Sequence, residues 1–135
     1  MTIRILLAVQ HVSIRRNLRT ILEDCPKCEI VAETDDGRDA VRLADDLKPD
    51  IAIIDIGTPS INGIETTRRI AQQSPQTYIL VLGTYPDDVY VSLVQRAGGR
   101  GYLLKDSADS YLHHAVTALS HGKYFFLNHE SSGTF

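Results

Sequence analysis

Ile51-Ala52-Ile53-Ile54-Asp55-Ile56-Gly57-Thr58-Pro59-Ser60-Ile61-Asn62-Gly63 begins as an unbroken apolar run, ends that run on a carboxylate, and passes into a loop marked by proline and glycine. A short apolar run without polar alternation suits a strand covered on both faces, as in parallel sheets. An aspartate that closes such a strand stands at the rim where open α/β sheets gather reactive groups.

The same alternation extends in both directions. Ile3 to Ala8 reads as a first strand, followed by a helix capped by Ser13, with Ile14, Leu18, Ile21 and Leu22 on one stripe opposite Arg15, Arg16, Arg19 and Glu23, and stopped by Pro26. Glu29 to Glu33 gives a second strand, Asp36-Gly37 a turn, and Ala40, Leu43, Ala44 and Leu47 the inner face of a second helix. Beyond Asp55 come a helix over Ile64 to Gln73, a strand over Tyr78 to Leu82, and a helix with Pro86 in its first turn that ends near Ala97 before Gly98-Gly99. A fifth strand, Gly101 to Leu104, precedes a helix capped by Ser107, which places Leu112, Ala115, Val116 and Leu119 on one face and ends near His121-Gly122. Five βα units predict an α/β fold, a three-layer αβα sandwich around a parallel sheet with right-handed crossovers. Residues 1–127 form that domain, and 128–135 read as a tail or the start of a linker.

Composition narrows the function. The chain has 135 residues, 43% hydrophobic and 23% charged, enough for one independent core. A net charge of −3 argues against nucleic-acid binding by this domain, although Arg15, Arg16 and Arg19 cluster. No apolar run approaches the roughly 18 residues of a membrane span, and no signal-peptide pattern opens the chain, so a cytoplasmic domain is expected. Cys25-Pro26-Lys27-Cys28 has the spacing of a redox pair or of half a zinc site. Structural zinc needs four ligands, and a thioredoxin-like pair opens a helix, whereas this one follows a helix, so packing is the preferred reading. His113, His114 and His121 lack a paired-ligand spacing.

The strand ends carry the chemistry: Val9-Gln10-His11, Asp35-Asp36, Asp55-Ile56-Gly57, Gly83-Thr84 and Lys105-Asp106. Lys105 and Asp55 share one rim. An ion pair there is an ordinary structural feature, but such a carboxylate could also accept a phosphoryl group whose charge the ammonium takes up.

The stretches Ile3 to Ala8, Asp36-Gly37-Arg38-Asp39-Ala40, Pro49-Asp50 through Asp55, Pro59 through Gly63, and Gly101-Tyr102-Leu103-Leu104-Lys105-Asp106 resemble the receiver domain of bacterial response regulators, above all the NarL/FixJ (LuxR-type) group. The resemblance implies a flavodoxin-like, five-stranded sheet in the order 2-1-3-4-5. It makes Asp55 the phosphoacceptor, Lys105 the phosphoryl-contacting lysine, Tyr102 the switch aromatic, and Pro59 and Gly63 loop-shaping residues. The family's acidic pair for Mg²⁺ falls on Val9 and Gln10, and its switch hydroxyl on Gly83, with Thr84 on the opposite face of the strand.

Loss of two carboxylates costs several kcal/mol of attraction for a divalent ion, estimated from ~4 kcal/mol per pair of unit charges. Weak Mg²⁺ binding through Asp55 and the Gly57 backbone, or none, is therefore expected, and no other cofactor. The first reading is a pseudo-receiver, not an enzyme, that works by docking through the faces of helices one and five or of helix four, strand five and helix five. Tyr102 and the apolar residues of the last helix are contact candidates, although an amphipathic stripe usually packs inward. Implied partners are a sensor histidine kinase or another signalling protein and a second copy of the chain, with a helix-turn-helix output domain beyond the linker. A conventional receiver phosphorylated on Asp55 is the alternative, and a small-ligand-binding flavodoxin-like domain a third.

Overall fold

A computed structural model describes residues 2–85 and 88–126. In chain order the elements are β1 (Ile3–Ala8), α1 (Val12–Glu23), β2 (Cys28–Thr34), α2 (Gly37–Leu47), β3 (Ile51–Asp55), α3 (Gly63–Gln73), β4 (Tyr78–Gly83), α4 (Asp88–Ala97), β5 (Gly101–Leu104), α5 (Ala108–Ser120) and β6 (Phe125–Phe126), with a 3₁₀ turn over Lys105–Ser107 before α5.

All strand pairs are parallel, and the sheet runs β2-β1-β3-β4-β5-β6. The expected five-strand order is present and is extended at one edge by Phe125 and Phe126 beside Gly101 and Tyr102. Two residues are too few to show a strand period, so the sixth strand left no sequence signal. Both phenylalanines are buried.

β3 is central and buried at all five positions, as its uninterrupted apolar run requires. Alternate residues of the strands feed two cores. Ile5, Leu7, Ile53, Leu80 and Leu103 pack with Leu18, Leu112, Val116 and Leu119 of α1 and α5. Leu6, Ala8, Ile54, Val81 and Tyr102 pack with Ala40, Ala44, Ile70 and Val94 of α2, α3 and α4. Each large aliphatic side chain so covered contributes roughly 1.5–3 kcal/mol. Leu112, Ala115, Val116 and Leu119 are thus core residues, and Tyr102 is fully buried, which removes all five as docking contacts.

The helix starts need two corrections. α1 begins at Val12 with His11 as its N-cap and no side-chain cap bond, because Ser13 already lies inside the first turn. Ser107 does hold the N-cap position of α5, but the preceding 3₁₀ turn sets its backbone helical and its side chain makes no cap bond. By contrast, Asp36 and Asn62 cap α2 and α3 by accepting from the amides of Asp39 and Glu65. Pro86 and the tail 128–135 lie outside the described residues.

Candidate functional site

The order β1-β3-β4 brings the ends of these strands together, and the β1–β3 register sets Ala8 beside Ile54. Val9 and Gln10 therefore follow β1 directly beside Asp55. The Asp55 residue is 0% exposed. Its Oδ1 lies 2.9 Å from Lys105 Nζ and accepts from the Gly57 amide at 3.0 Å, while Oδ2 accepts from the Gln10 amide at 3.3 Å. The Lys105 side chain is 18% exposed. The convergence of Asp55 with Lys105 is present, and the carboxylate is closed from both sides by an ammonium and two backbone donors.

Val9 is fully buried in the α1/α5 core, and its amide bonds to the Thr34 carbonyl at 3.0 Å. Its own carbonyl accepts from Arg15 Nη1 at 2.8 Å. Sequence placed Arg15 on the solvated side of α1. Instead its side chain is 18% exposed and also lies 3.4 Å from Glu33, which Arg19 engages through two bonds of 2.7 and 2.8 Å. Those guanidiniums, that of Arg19 foremost, hold the Glu33 carboxyl below its ordinary range. The basic cluster is thus partly neutralised by an acidic residue of β2, a pairing across elements that no local pattern encodes.

A methyl group built on Gly57 would lie 3.6 Å from Asp55 Oδ1 and 3.8 Å from Gln10 Oε1, so these two oxygens border the space above Gly57. One carboxylate already paired with an ammonium, one neutral amide oxygen and a buried valine match Mg²⁺ poorly, since that ion takes near-octahedral oxygen coordination with one or two carboxylates beside phosphate and water. Among the described residues no group of three His, Cys, Asp or Glu side chains could hold a metal ion.

Both loop residues are placed by close backbone contacts. Pro59 accepts from the Gly37 and Ile61 amides at 3.1 and 2.9 Å, tying the β3–α3 loop to the start of α2. Gly63 donates to the Ile56 carbonyl at 2.9 Å, and a Cβ there would come within 2.6 Å of the Asp55 carbonyl oxygen. Gly63→Ala is therefore expected to destabilise the domain by about 1–3 kcal/mol, because neither neighbour is a side chain free to swing aside. Urea unfolding of the variant against the wild type checks this.

Gly83 and Tyr102 form the second feature of the rim. They lie on the same face of adjacent strands, and a Cβ on Gly83 would overlap the Tyr102 hydroxyl and Cζ and lie 2.6 Å from Cε1. The phenol fills the place of the missing side chain and donates to the Tyr85 carbonyl at 2.7 Å. Thr84 lies just past the end of β4 and is exposed. Tyr102 borders a hollow of about 460 Å³ together with Ile56, Ile64, Tyr85, Tyr90 and Leu93. Tyr85 and Leu93, with Val89 and Tyr111, are exposed large hydrophobic residues, whereas Tyr102 is buried. No sequence signal marked the Tyr85 carbonyl, which lies in a loop.

Comparison with known proteins gives a consistent outcome. Residues 5–117 match the family described as the response regulator receiver domain. The transcriptional regulatory protein DegU of Brevibacillus brevis is 37% identical over 120 residues, covering 89% of this chain and 51% of DegU. LiaR of Bacillus subtilis, also a transcriptional regulatory protein, is 37% identical over 121 residues, covering 90% of this chain and 57% of LiaR. The chain thus spans about half the length of these curated relatives. Among solved structures, a two-component response regulator of the LuxR family from Aurantimonas sp. SI85-9A1 superposes with a TM-score of 0.89 at 31% identity, covering 96% of this chain and 92% of that one.

Proposed function

The chain belongs to the receiver domain family of response regulators, and from that premise we propose that it is a pseudo-receiver: a two-component signalling domain that works by protein contacts, with weak or no Mg²⁺-dependent phosphorylation of Asp55. Its partners on this reading are a sensor histidine kinase or another signalling protein and a second copy of the chain. The output is transcriptional, through a DNA-binding domain joined beyond the linker. That assignment draws on DegU and LiaR, both transcriptional regulatory proteins. The domain itself carries signals and is not an enzyme. Among its described residues no helix is long and apolar enough to cross a membrane.

The observation that carries the reading is the closed donor set of Asp55, in which an ammonium and two amides take the oxygens while Val9 and Gln10 stand where carboxylates would draw in a cation. Phosphoryl transfer rests on positioning and on neutralising charge at the transferred group. Lys105 supplies one charge of the required sign, and Val9 and Gln10 supply no carboxylate that would attract a divalent ion beside it. The conventional reading, phosphorylation of Asp55, keeps support from the survival of Asp55 and Lys105 at bonding distance.

Intact-mass measurement after treatment with acetyl phosphate separates the two. The expected result is no adduct at Asp55 with or without Mg²⁺. An adduct that requires Mg²⁺ and vanishes in Asp55→Ala would establish the conventional reading instead. The double variant Val9→Asp with Gln10→Asp is expected to bind Mg²⁺ at least about tenfold more tightly than the wild type, since each 1.4 kcal/mol of regained attraction is a factor of ten. Calorimetric titration measures it, and an unchanged affinity would count against the proposed cause.

A further inference from the structure

Cys25 and Cys28 lie at the opposite end of the sheet from Asp55, where α1 turns into β2. Proximity alone does not make a dithiol reactive, but three features here coincide. The sulfurs are 2.7 Å apart, with Cys28 Sγ donating to Cys25 Sγ. Both residues are partly exposed and both thiols are free. Their backbones are fixed in register: the Cys28 amide bonds to the Cys25 carbonyl at 3.0 Å, the Cys25 amide to the Leu22 carbonyl at 3.0 Å, and the Lys27 carbonyl accepts from Ile3 at 2.7 Å. An i to i+3 turn of this kind keeps its end Cα atoms within about 7 Å, which overlaps the ~4.4–6.8 Å that a disulfide spans. Closing the remaining gap to ~2.05 Å takes a shift of well under one ångström and no rearrangement of the sheet.

We propose that Cys25 and Cys28 form a thiol–disulfide exchange site that closes to an intramolecular disulfide when it meets a low-molecular-weight disulfide. Cys25, as its thiolate, attacks one sulfur of the oxidant R–S–S–R; the Cys25–S–S–R bond forms, the oxidant's S–S bond breaks and RS⁻ leaves. Cys28 then gives up its proton and displaces the second RS⁻ from Cys25. Two protein thiols are oxidised, one disulfide is reduced, and the two protons end on two RSH molecules. The order of attack follows from the surroundings of Cys28: burial first, then the contact with Cys25, pushes the Cys28 thiol up to about 12, which leaves it the resolving thiol of the pair. The local hold on both backbones makes the second step fast against escape of the mixed disulfide.

The test uses the full chain in glutathione buffer with a metal chelator, with oxidised glutathione in about tenfold excess over the reduced form, followed by acid quench, alkylation and intact-mass measurement. The expected product has lost two hydrogens, takes no alkyl group, and regains two alkylatable thiols on treatment with dithiothreitol. Cys28→Ser is expected to stop at a single glutathione adduct on Cys25, and Asp55→Asn to close as the wild type does. Two alkylated thiols in the wild type, a stable glutathione adduct that never closes, or a disulfide joining two chains would each overturn the proposal.

Discussion

Gly83→Thr is expected to lower the unfolding free energy by about 2–4 kcal/mol, the largest loss for any single addition of atoms at the rim. The Tyr102 phenol already fills the volume into which a side chain at 83 must go, and its neighbours are strands and not a yielding surface. The added side chain must displace a fully buried ring, which gives up the burial of a large aromatic and its bond to the Tyr85 carbonyl, or else must strain the β4–β5 pair. Denaturant unfolding followed by tyrosine emission measures the loss without interference, because the chain has no tryptophan. A double-mutant cycle gives the cause: in a Tyr102→Ala background the same Gly83→Thr change should cost under about 1 kcal/mol, since the space is then vacant. Equal losses in both backgrounds would mean that the ring and the glycine are not coupled. On the proposed reading this packing also holds the aromatic inward whatever the state of Asp55, so it supplies the conformational half of what the closed carboxylate supplies chemically.

Lys105→Ala is expected to cost about 2–3 kcal/mol and to be largely rescued by Asp55→Asn. Removing one partner of a buried pair typically costs roughly 3–5 kcal/mol, and the residual exposure of Lys105 lets water reach the site and trims that figure. The carboxylate left behind is fully buried and would keep only the Gly57 and Gln10 amides. Neutralising it removes the penalty, so the double variant should regain most of the lost stability in the same unfolding assay. A Lys105→Ala protein as stable as the wild type would show that the ion pair does not stabilise the buried carboxylate, and the pseudo-receiver reading would lose its electrostatic basis.

The apolar run from Ile51 to Ile54 marked the central strand because burial on both faces removes polar residues from it, and the stripe Leu112, Ala115, Val116, Leu119 marked the inner face of α5 by its spacing alone. Asp55 and Lys105 were legible as a pair once the strand order was known. Arg15 was not: its place in the helical wheel is the same whether it points to water or folds over the Val9 carbonyl, and only the neighbouring strand end decides. Ser13 and Ser107 illustrate a similar limit, since a capping side chain is recognisable in sequence but the first helical residue is fixed by the incoming backbone. The cysteine pair reads as packing in sequence because no second ligand pair accompanies it and it follows a helix, and the 2.7 Å between its sulfurs is set by the turn that joins α1 to β2.

The sequence by itself determined the succession of strands and helices and the two apolar faces of the sheet, because periodic burial is a local property that each segment carries within itself. Only the tertiary structure decided that Lys105 and two amides close Asp55, that Arg15 caps the Val9 carbonyl, and that Tyr102 stands in the volume Gly83 leaves free. Those outcomes depend on inter-strand register and on the competition of side chains for the same few cubic ångströms, and neither quantity exists until segments distant in the chain are packed against one another.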